Sequence, residues 1–187
     1  MPSFKHNSDL LFRLSDFYYK LLVAFIPAAL AGFFLGDFID AALENVVGIA
    51  VALLLGGIFF LFMGKIFNNQ HIENSGNINF ISAAKIGLFQ CIALFPGVSR
   101  SGATIIGGLS QKLTRKAAAE FSFYLAVPTM FAATCHSVFL KKWEVAAGVK
   151  MKGYEIIMNE PDGVKTLLIG NVVAFVVAML AIKSFIG

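Results

Sequence analysis

Of 187 residues, 58% are hydrophobic and only 14% charged, with a mean hydropathy of +0.78; soluble globular domains carry about 25% charged residues, so an ordinary soluble domain is excluded. The net charge of +4 and pI near 9.1 are not a nucleic-acid footprint, because Lys20, Lys65, Lys116, Lys141, Lys142, Lys165 and Lys183 flank apolar runs, where lysines snorkel to an interface and set topology. The two cysteines, Cys91 and Cys135, stand in apolar runs without metal-ligand or disulfide-framework spacing and read as small core residues.

In chain order, MPSFKHNSDL (residues 1–10) lacks the apolar region that a cleavable signal peptide carries behind its basic start. Runs without charged residues at 21–36, 46–64, 121–140 and 167–182 each match the length that a hydrocarbon core demands of a helix. They predict a polytopic integral membrane protein with one domain over 1–187. The first helix is expected from about Phe17 to Phe38, kinked at Pro27, which neighbouring helices tolerate. An acidic connection with Asp37, Asp40 and Glu44 follows. Because Lys5, Arg13 and Lys20 precede this span, the positive-inside rule puts the N-terminus in the cytoplasm and the acidic connection outside.

The second span, VVGIAVALLLGGIFFLFMG, ends at Lys65, and KIFNNQHIENSGNIN reads as a loop from its Asn, Ser and Gly content. Ile78 to Phe95 reads as a helix stopped by Pro96-Gly97, where proline removes a donor and glycine permits a turn. The next apolar piece, ATIIGGLS, is too short to cross and is followed by QKLTRK. Helix, turn and short helix make a re-entrant pattern. Irregular backbone at membrane depth survives only where protein buries it or a wet cavity lines it, so a cavity is expected around Pro96 to Thr104. Beyond lie a span, AAAEFSFYLAVPTMFAATCHSVFL, holding Glu120 and Pro128, a polar loop from Lys141 to about Lys165, and a last span ending near Phe185. The expected fold class is all-α: a polytopic membrane helix bundle with a re-entrant broken helix.

The turn PGVSRSGATIIGG opens a helix, so unpaired backbone N–H groups and the positive end of the helix dipole face one way. Phosphate suits such a place. Arg100 adds a fork of donors for two phosphate oxygens, Ser99, Ser101 and Thr104 supply hydroxyls, and Gly97 and Gly102 allow close approach. The competing reading has Arg100 snorkelling to headgroups while the serines cap the helix. Clustering of glycines, hydroxyls and an arginine at one break favours an anion cradle.

PGVSRSGAT, preceded by GLFQCIALF and followed by EFSFYLAVPTM, resembles the second signature region of the undecaprenyl-diphosphatase family, also called bacitracin-resistance proteins. The resemblance implies a multi-pass phosphatase of the bacterial inner membrane that removes the terminal phosphate of undecaprenyl diphosphate, regenerating a cell-wall lipid carrier. It implies that Arg100, Ser99 and Ser101 are catalytic, and that Gly97, Gly102 and Thr104 bind substrate. It further implies an inverted-repeat architecture and a supporting divalent cation, Mg or Ca, for which no protein ligand is assigned. The family's earlier signature, a Glu-rich stretch followed by a Pro-Val-Ser-Ser-Thr-Gly-His type sequence, has no counterpart in Met1 to Lys20, and family chains normally continue with a further membrane segment. The chain is therefore expected to hold half a site, an expectation that enzyme-like turnover by the 187 residues alone would overturn.

Among the remaining polar residues, Glu120 is expected to pair with Arg115 or Lys116 in the first helical turn rather than to bind metal or move protons. His136 is expected to hydrogen-bond a neighbouring helix, and His6 and His71 to face solvent; none is assigned a catalytic role. Lys85 either faces the cavity or snorkels, and Gln90 is placed to line the same cavity. Trp143, beside Lys141 and Lys142, reads as a membrane-belt residue. Two rivals remain for the whole: a transporter, since broken helices with mid-membrane anion sites are also a transporter device, and a fragment that binds the lipid diphosphate without hydrolysing it. Positive-inside counting puts QKLTRK in the cytoplasm if the broken helix returns to its starting side, whereas the resemblance leans towards a site reached from outside.

Overall fold

The computed structural model describes residues 3–146 and 149–186, and the readings of Lys5, His6, Arg13 and Asp37 lie outside the described side chains. The elements are α1 (Ser3–Phe34), α2 (Gly36–Leu43), α3 (Val46–Ile66), a 3-10 turn (Ser75–Asn77), α4 (Phe80–Ile92), α5 (Arg100–Ser110), α6 (Arg115–Cys135), a π turn (His136–Leu140), β1 (Lys142–Ala146), β2 (Val149–Lys152), α7 (Gly153–Asn159) and α8 (Gly163–Ile186). Four stretches, 15–34, 46–66, 115–140 and 163–184, are long and apolar enough to cross a bilayer. The chain is an all-α polytopic membrane protein carrying one small hairpin. It divides into two compact units, Met1–Met130 and Phe131–Gly187.

Within the first unit, α1 begins earlier and ends sooner than the sequence suggests. The expected acidic connection is itself helical: Leu35 N–H donates to Ala31 O and Ile39 N–H to Leu35 O, both at 2.9 Å, so α2 continues from α1 with only Leu35 between them. Acidic residues do not forbid a helix when apolar neighbours such as Phe38 and Ile39 accompany them. After α3, whose N-cap Asn45 accepts from Gly48 N–H at 2.9 Å, the polar stretch runs as loop except for its 3-10 turn.

α4 is shorter than the predicted 78–95 helix, because Asn79 caps its start by accepting from Ser82 N–H at 2.7 Å and its far end loosens at Ala93. At 1.5 Å per residue, the 13 residues of α4 and the 11 of α5 reach about 20 and 17 Å against a hydrocarbon core of about 30 Å. Neither crosses. The segment leading into α4 is bonded to the segment leaving α5: His71 and Ile72 N–H donate to Lys112 O at 3.1 and 3.0 Å, and Thr114 N–H donates to Ile72 O at 2.9 Å. The α4–α5 hairpin thus returns to the side it came from, as the re-entrant pattern predicts.

α4 packs most closely on α1, where Gly87 lets the Ala24 carbonyl come so near that any Cβ would collide with it. Around this contact lies the core, with Leu21, Ile86, Leu109, Leu113, Phe121 and Leu125 all buried. Phe17 meets Phe121 and Tyr124 edge-on. Lys20, buried midway along α1, pairs with Asp16 and donates to Gly76 O at 2.9 Å, which satisfies an otherwise expensive charge. By contrast α3 buries no residue, as suits a helix that is apolar all round and faces lipid.

In the second unit, the expected polar loop 141–165 is instead ordered. β1 and β2 pair antiparallel, with Lys142 opposite Lys152, Trp143 opposite Met151 and Glu144 opposite Lys150, and an irregularity follows Glu144. α7 begins directly after β2: Lys152 N–H donates to Glu155 Oε2 at 2.8 Å, the Glu155 half of a capping box. α8 is exposed from Val164 to Ser184.

Candidate functional site

Three tight bonds unwind α4, from Ala93 N–H to Gln90 O, Leu94 N–H to Cys91 O and Phe95 N–H to Ile92 O, at 3.0–3.2 Å. Pro96 and Gly97 then occupy the middle of a turn closed by Val98 N–H donating to Phe95 O at 3.1 Å, and Gly97 has φ +93°. Proline followed by a glycine of positive φ is what a type II turn demands. A Cβ on Gly97 would also lie 2.6 Å from Ile49 O, so the turn presses against the first turns of α3.

Ser99 caps α5: in extended backbone, its Oγ accepts from Gly102 N–H at 3.2 Å and lies 3.3 Å from Ser101 Oγ. Ala103 N–H is taken by Ser99 O at 2.9 Å. The amides of Arg100 and Ser101 have no hydrogen-bond partner among the described residues, and neither has the half-buried Arg100 guanidinium. Two exposed hydroxyls, two open amides and an unengaged guanidinium therefore cluster at the positive end of α5.

Thr104 and Gly102 stand differently. Thr104, 3% exposed, lies 3.1 Å from both Arg100 O and Ser101 O and 2.6 Å from Ser122 Oγ, so its hydroxyl knits α5 to itself and to α6. Gly102 is buried, and the space a Cβ would take is filled by the Phe60 ring. The cradle proper consists of Ser99, Arg100 and Ser101 on the turn made by Gly97, with Gly102 and Thr104 as its floor.

The floor joins Gln90, which the sequence places beside this break, to Ser122 and Thr129, which the sequence reading did not single out. Gln90, 3% exposed, donates through Nε2 to Thr129 Oγ1 at 3.1 Å, and Thr129 donates to Leu125 O at 2.7 Å. Gln90 Oε1 is buried without a partner among the described residues. Ser122 and Thr129 are seven residues apart and share one face of α6; that spacing was the available signal. Since Ser122 meets Thr104, a rise of about 10 Å brings Thr129 and Gln90 level with the break.

Elsewhere, Glu120 accepts from Ser75 Oγ at 3.4 Å and lies in the second turn of α6; among the described ion pairs none joins it to Arg115 or Lys116. The chain closes on itself there through a loop serine that composition alone does not place. Lys85 and the side chains of His71 and His136 are exposed. Amides, hydroxyls and a guanidinium suit an anion and not a divalent cation, which takes oxygen ligands led by carboxylates. Among the described residues no three His, Cys, Asp or Glu gather at metal-binding spacing.

The depth of the break follows from its neighbours. Leu94 packs beside Gly32, near the end of α1, while Gly97 meets Ile49 and Ala52, near the start of α3. At the other end Arg115 approaches Gly64, near the end of α3. The cradle lies towards the α2 end of the first unit, opposite the 71–72/112–114 tie.

A family model described as bacitracin resistance protein BacA matches residues 4–187. Among curated relatives, a Flavobacterium johnsoniae protein is 54% identical over 180 residues, covering 94% of this chain and 63% of its own. A Porphyromonas gingivalis W83 protein is 51% identical, with 92% and 57% covered, and one from Bdellovibrio bacteriovorus is 45% identical, with 91% and 60% covered. Each of the three is named undecaprenyl-diphosphatase. The chain spans roughly three-fifths of the length of these relatives.

Proposed function

The chain belongs to the bacitracin resistance protein BacA family, and from that membership we propose that the break between α4 and α5 grips the diphosphate of undecaprenyl diphosphate and takes part in releasing its terminal phosphate. One observation carries the reading: a Ser99-capped helix start whose amides and Arg100 guanidinium, without a partner among the described residues, converge at membrane depth. The relatives' shared name supports hydrolysis over transport or simple binding.

In this reading Arg100 holds two non-bridging oxygens of the terminal phosphate in its planar fork. The Arg100 and Ser101 amides and the Ser99 and Ser101 hydroxyls hold the rest. Hydrolysis breaks the bond between the terminal phosphorus and the bridging oxygen; water supplies the new oxygen of inorganic phosphate, and the lipid leaves as its monophosphate. Negative charge grows on the bridging oxygen as that bond breaks, and fixed donors in a site of low dielectric stabilise it at no cost of reorganisation. Gly97 sets the turn, and Thr104 with Ser122 keeps α5 rigid beneath it. The carboxylate ligands that Mg or Ca requires are no part of this cradle, so no step is assigned to a cation.

Lys20, Lys65, Lys112, Arg115 and Lys116 lie towards the tied end of the first unit, and Asp40 and Glu44 towards the other. The positive-inside rule then supports an inner-membrane orientation with the tie in the cytoplasm and the cradle opening outward. That reconciles a cytoplasmic QKLTRK with a site reached from outside, because the hairpin's tip and feet face opposite ways.

The test is phosphate release from undecaprenyl diphosphate in detergent, which needs no second compartment, by a full-length relative carrying the Arg100 substitution at the matching position, since the 187 residues are expected to hold half a site. Arg100→Ala is expected to lower release on the order of 10²–10³-fold. Release unaffected by that substitution sinks the assignment, and turnover at an enzyme's rate by the 187 residues alone overturns the half-site expectation.

A further inference from the structure

The β1–β2 hairpin has two unlike faces. Lys142, Glu144, Lys150 and Lys152 share one, since 142 lies opposite 152 and 144 opposite 150. Trp143 and Met151, opposite each other, occupy the second. Trp143 is 43% exposed, and Val145 and Val149 towards the tip are 53% and 50% exposed. An apolar sheet face left this open calls for a cover.

We propose that the 142–152 hairpin docks onto anionic phospholipid headgroups, with its Trp143 face set into the bilayer interface and its lysines against the lipid phosphates. Its attachment supplies the first argument. The π turn that ends the 115–140 membrane stretch leads directly into β1, and α7 returns the chain to the 163–184 stretch, so the hairpin is strung between two span ends and stays at the interface.

Side-chain pairing supplies the second. Lys141 Nζ stands 4.9 Å from the centre of the Trp143 ring and Lys152 Nζ 5.8 Å from that of Tyr154, which sets ammonium and aromatic groups side by side, the composition of a headgroup belt. Trp143 Nε1–H donates to Ser137 O at 3.2 Å, leaving the rest of the ring to contact acyl chains. Charge complementarity is the third. Lys142 and Lys152 face each other across the ladder, a repulsive arrangement on its own; anionic phosphates between them relieve it.

Glu144, on the same face opposite Lys150, and Glu155 offset only part of that charge. The Glu155 carboxyl is held below the ordinary carboxylate range, chiefly by the Lys152 amide, with Tyr154 OH and the nearby Lys152 and Lys142 charges adding. Lys142 and Lys150 remain exposed on the polar face.

Trp143 is the chain's single tryptophan, so fluorescence of the unmodified 187-residue chain in vesicles reads this site alone. Lipids brominated near the headgroup should quench it more than lipids brominated near the chain ends, and aqueous acrylamide should quench it weakly. At equal mole fraction, brominated phosphatidylglycerol should quench more than brominated phosphatidylcholine, each lysine contributing roughly fivefold to the preference. Lys142→Ala with Lys150→Ala should erode that preference and leave the depth unchanged, which separates loss of charge from loss of fold. Full quenching by acrylamide, protection from both acrylamide and bromolipid, or equal quenching by the two headgroups would each overturn the proposal.

Discussion

Gly97 carries two constraints at once, a φ of +93° and a carbonyl, Ile49 O, where its Cβ would stand. Alanine there strains the backbone and pushes α3 away, so Gly97→Ala is expected to destabilise by about 1–3 kcal/mol. Thermal unfolding in detergent would read it, and an unchanged midpoint would mean that the turn tolerates a side chain. Pro96-Gly97 was legible because its backbone chemistry is local. Thr104 was less so: a threonine near an anion-binding turn looks like a ligand donor, and only the position of Ser122, on another helix, reveals that its hydroxyl is committed to the interior at 2.6 Å. Gln90 was legible only in part, since its place in the sequence put it near the break but not its bond to Thr129.

At the scale of one helix, the question is whether Ser99 is a cap or a ligand. It serves as a cap in the structure, and a phosphate approaching the open amides beside it would meet the same hydroxyl. Ser99→Asp separates the roles, because aspartate caps as well as serine but repels an anion. Stability should hold to within about 0.5 kcal/mol while affinity for the lipid diphosphate, measured by competition with inorganic diphosphate, falls tenfold or more. Equal affinity would restrict Ser99 to capping. The α4–break–α5 pattern was readable since period, proline and glycine agree. The 142–152 hairpin was not: KWEVAAGVKMK mixes lysines with too few β-branched residues to announce strands, and cross-strand pairing alone fixes it. The α2 helix was hidden by its aspartates for a related reason, as composition suggested a loop where main-chain bonds continued.

For the whole molecule, four spans were evident from hydropathy alone, while the orientation of the cradle needed the tie between 71–72 and 112–114. With Cys91 and Cys135 replaced by alanine, Asn45→Cys should react with a membrane-impermeant maleimide in intact cells, and Asn69→Cys only after permeabilisation. The reverse pattern would turn the cradle towards the cytoplasm. Exposure of α8 along its length was also foreseeable, because lipid imposes no polar face on a helix, whereas α3 sets Ile49, Ala52 and Phe60 against the break.

The main-chain tie at the feet of the α4–α5 hairpin bears on how the protein is built during synthesis. Both flanks of the hairpin stay on the side where they emerge, so the insertion machinery never has to carry a hydrophilic linker across the bilayer here. The polar tip around Arg100, with Gln90 beside it, is lowered into the lipid only part-way, by two legs that arrive together.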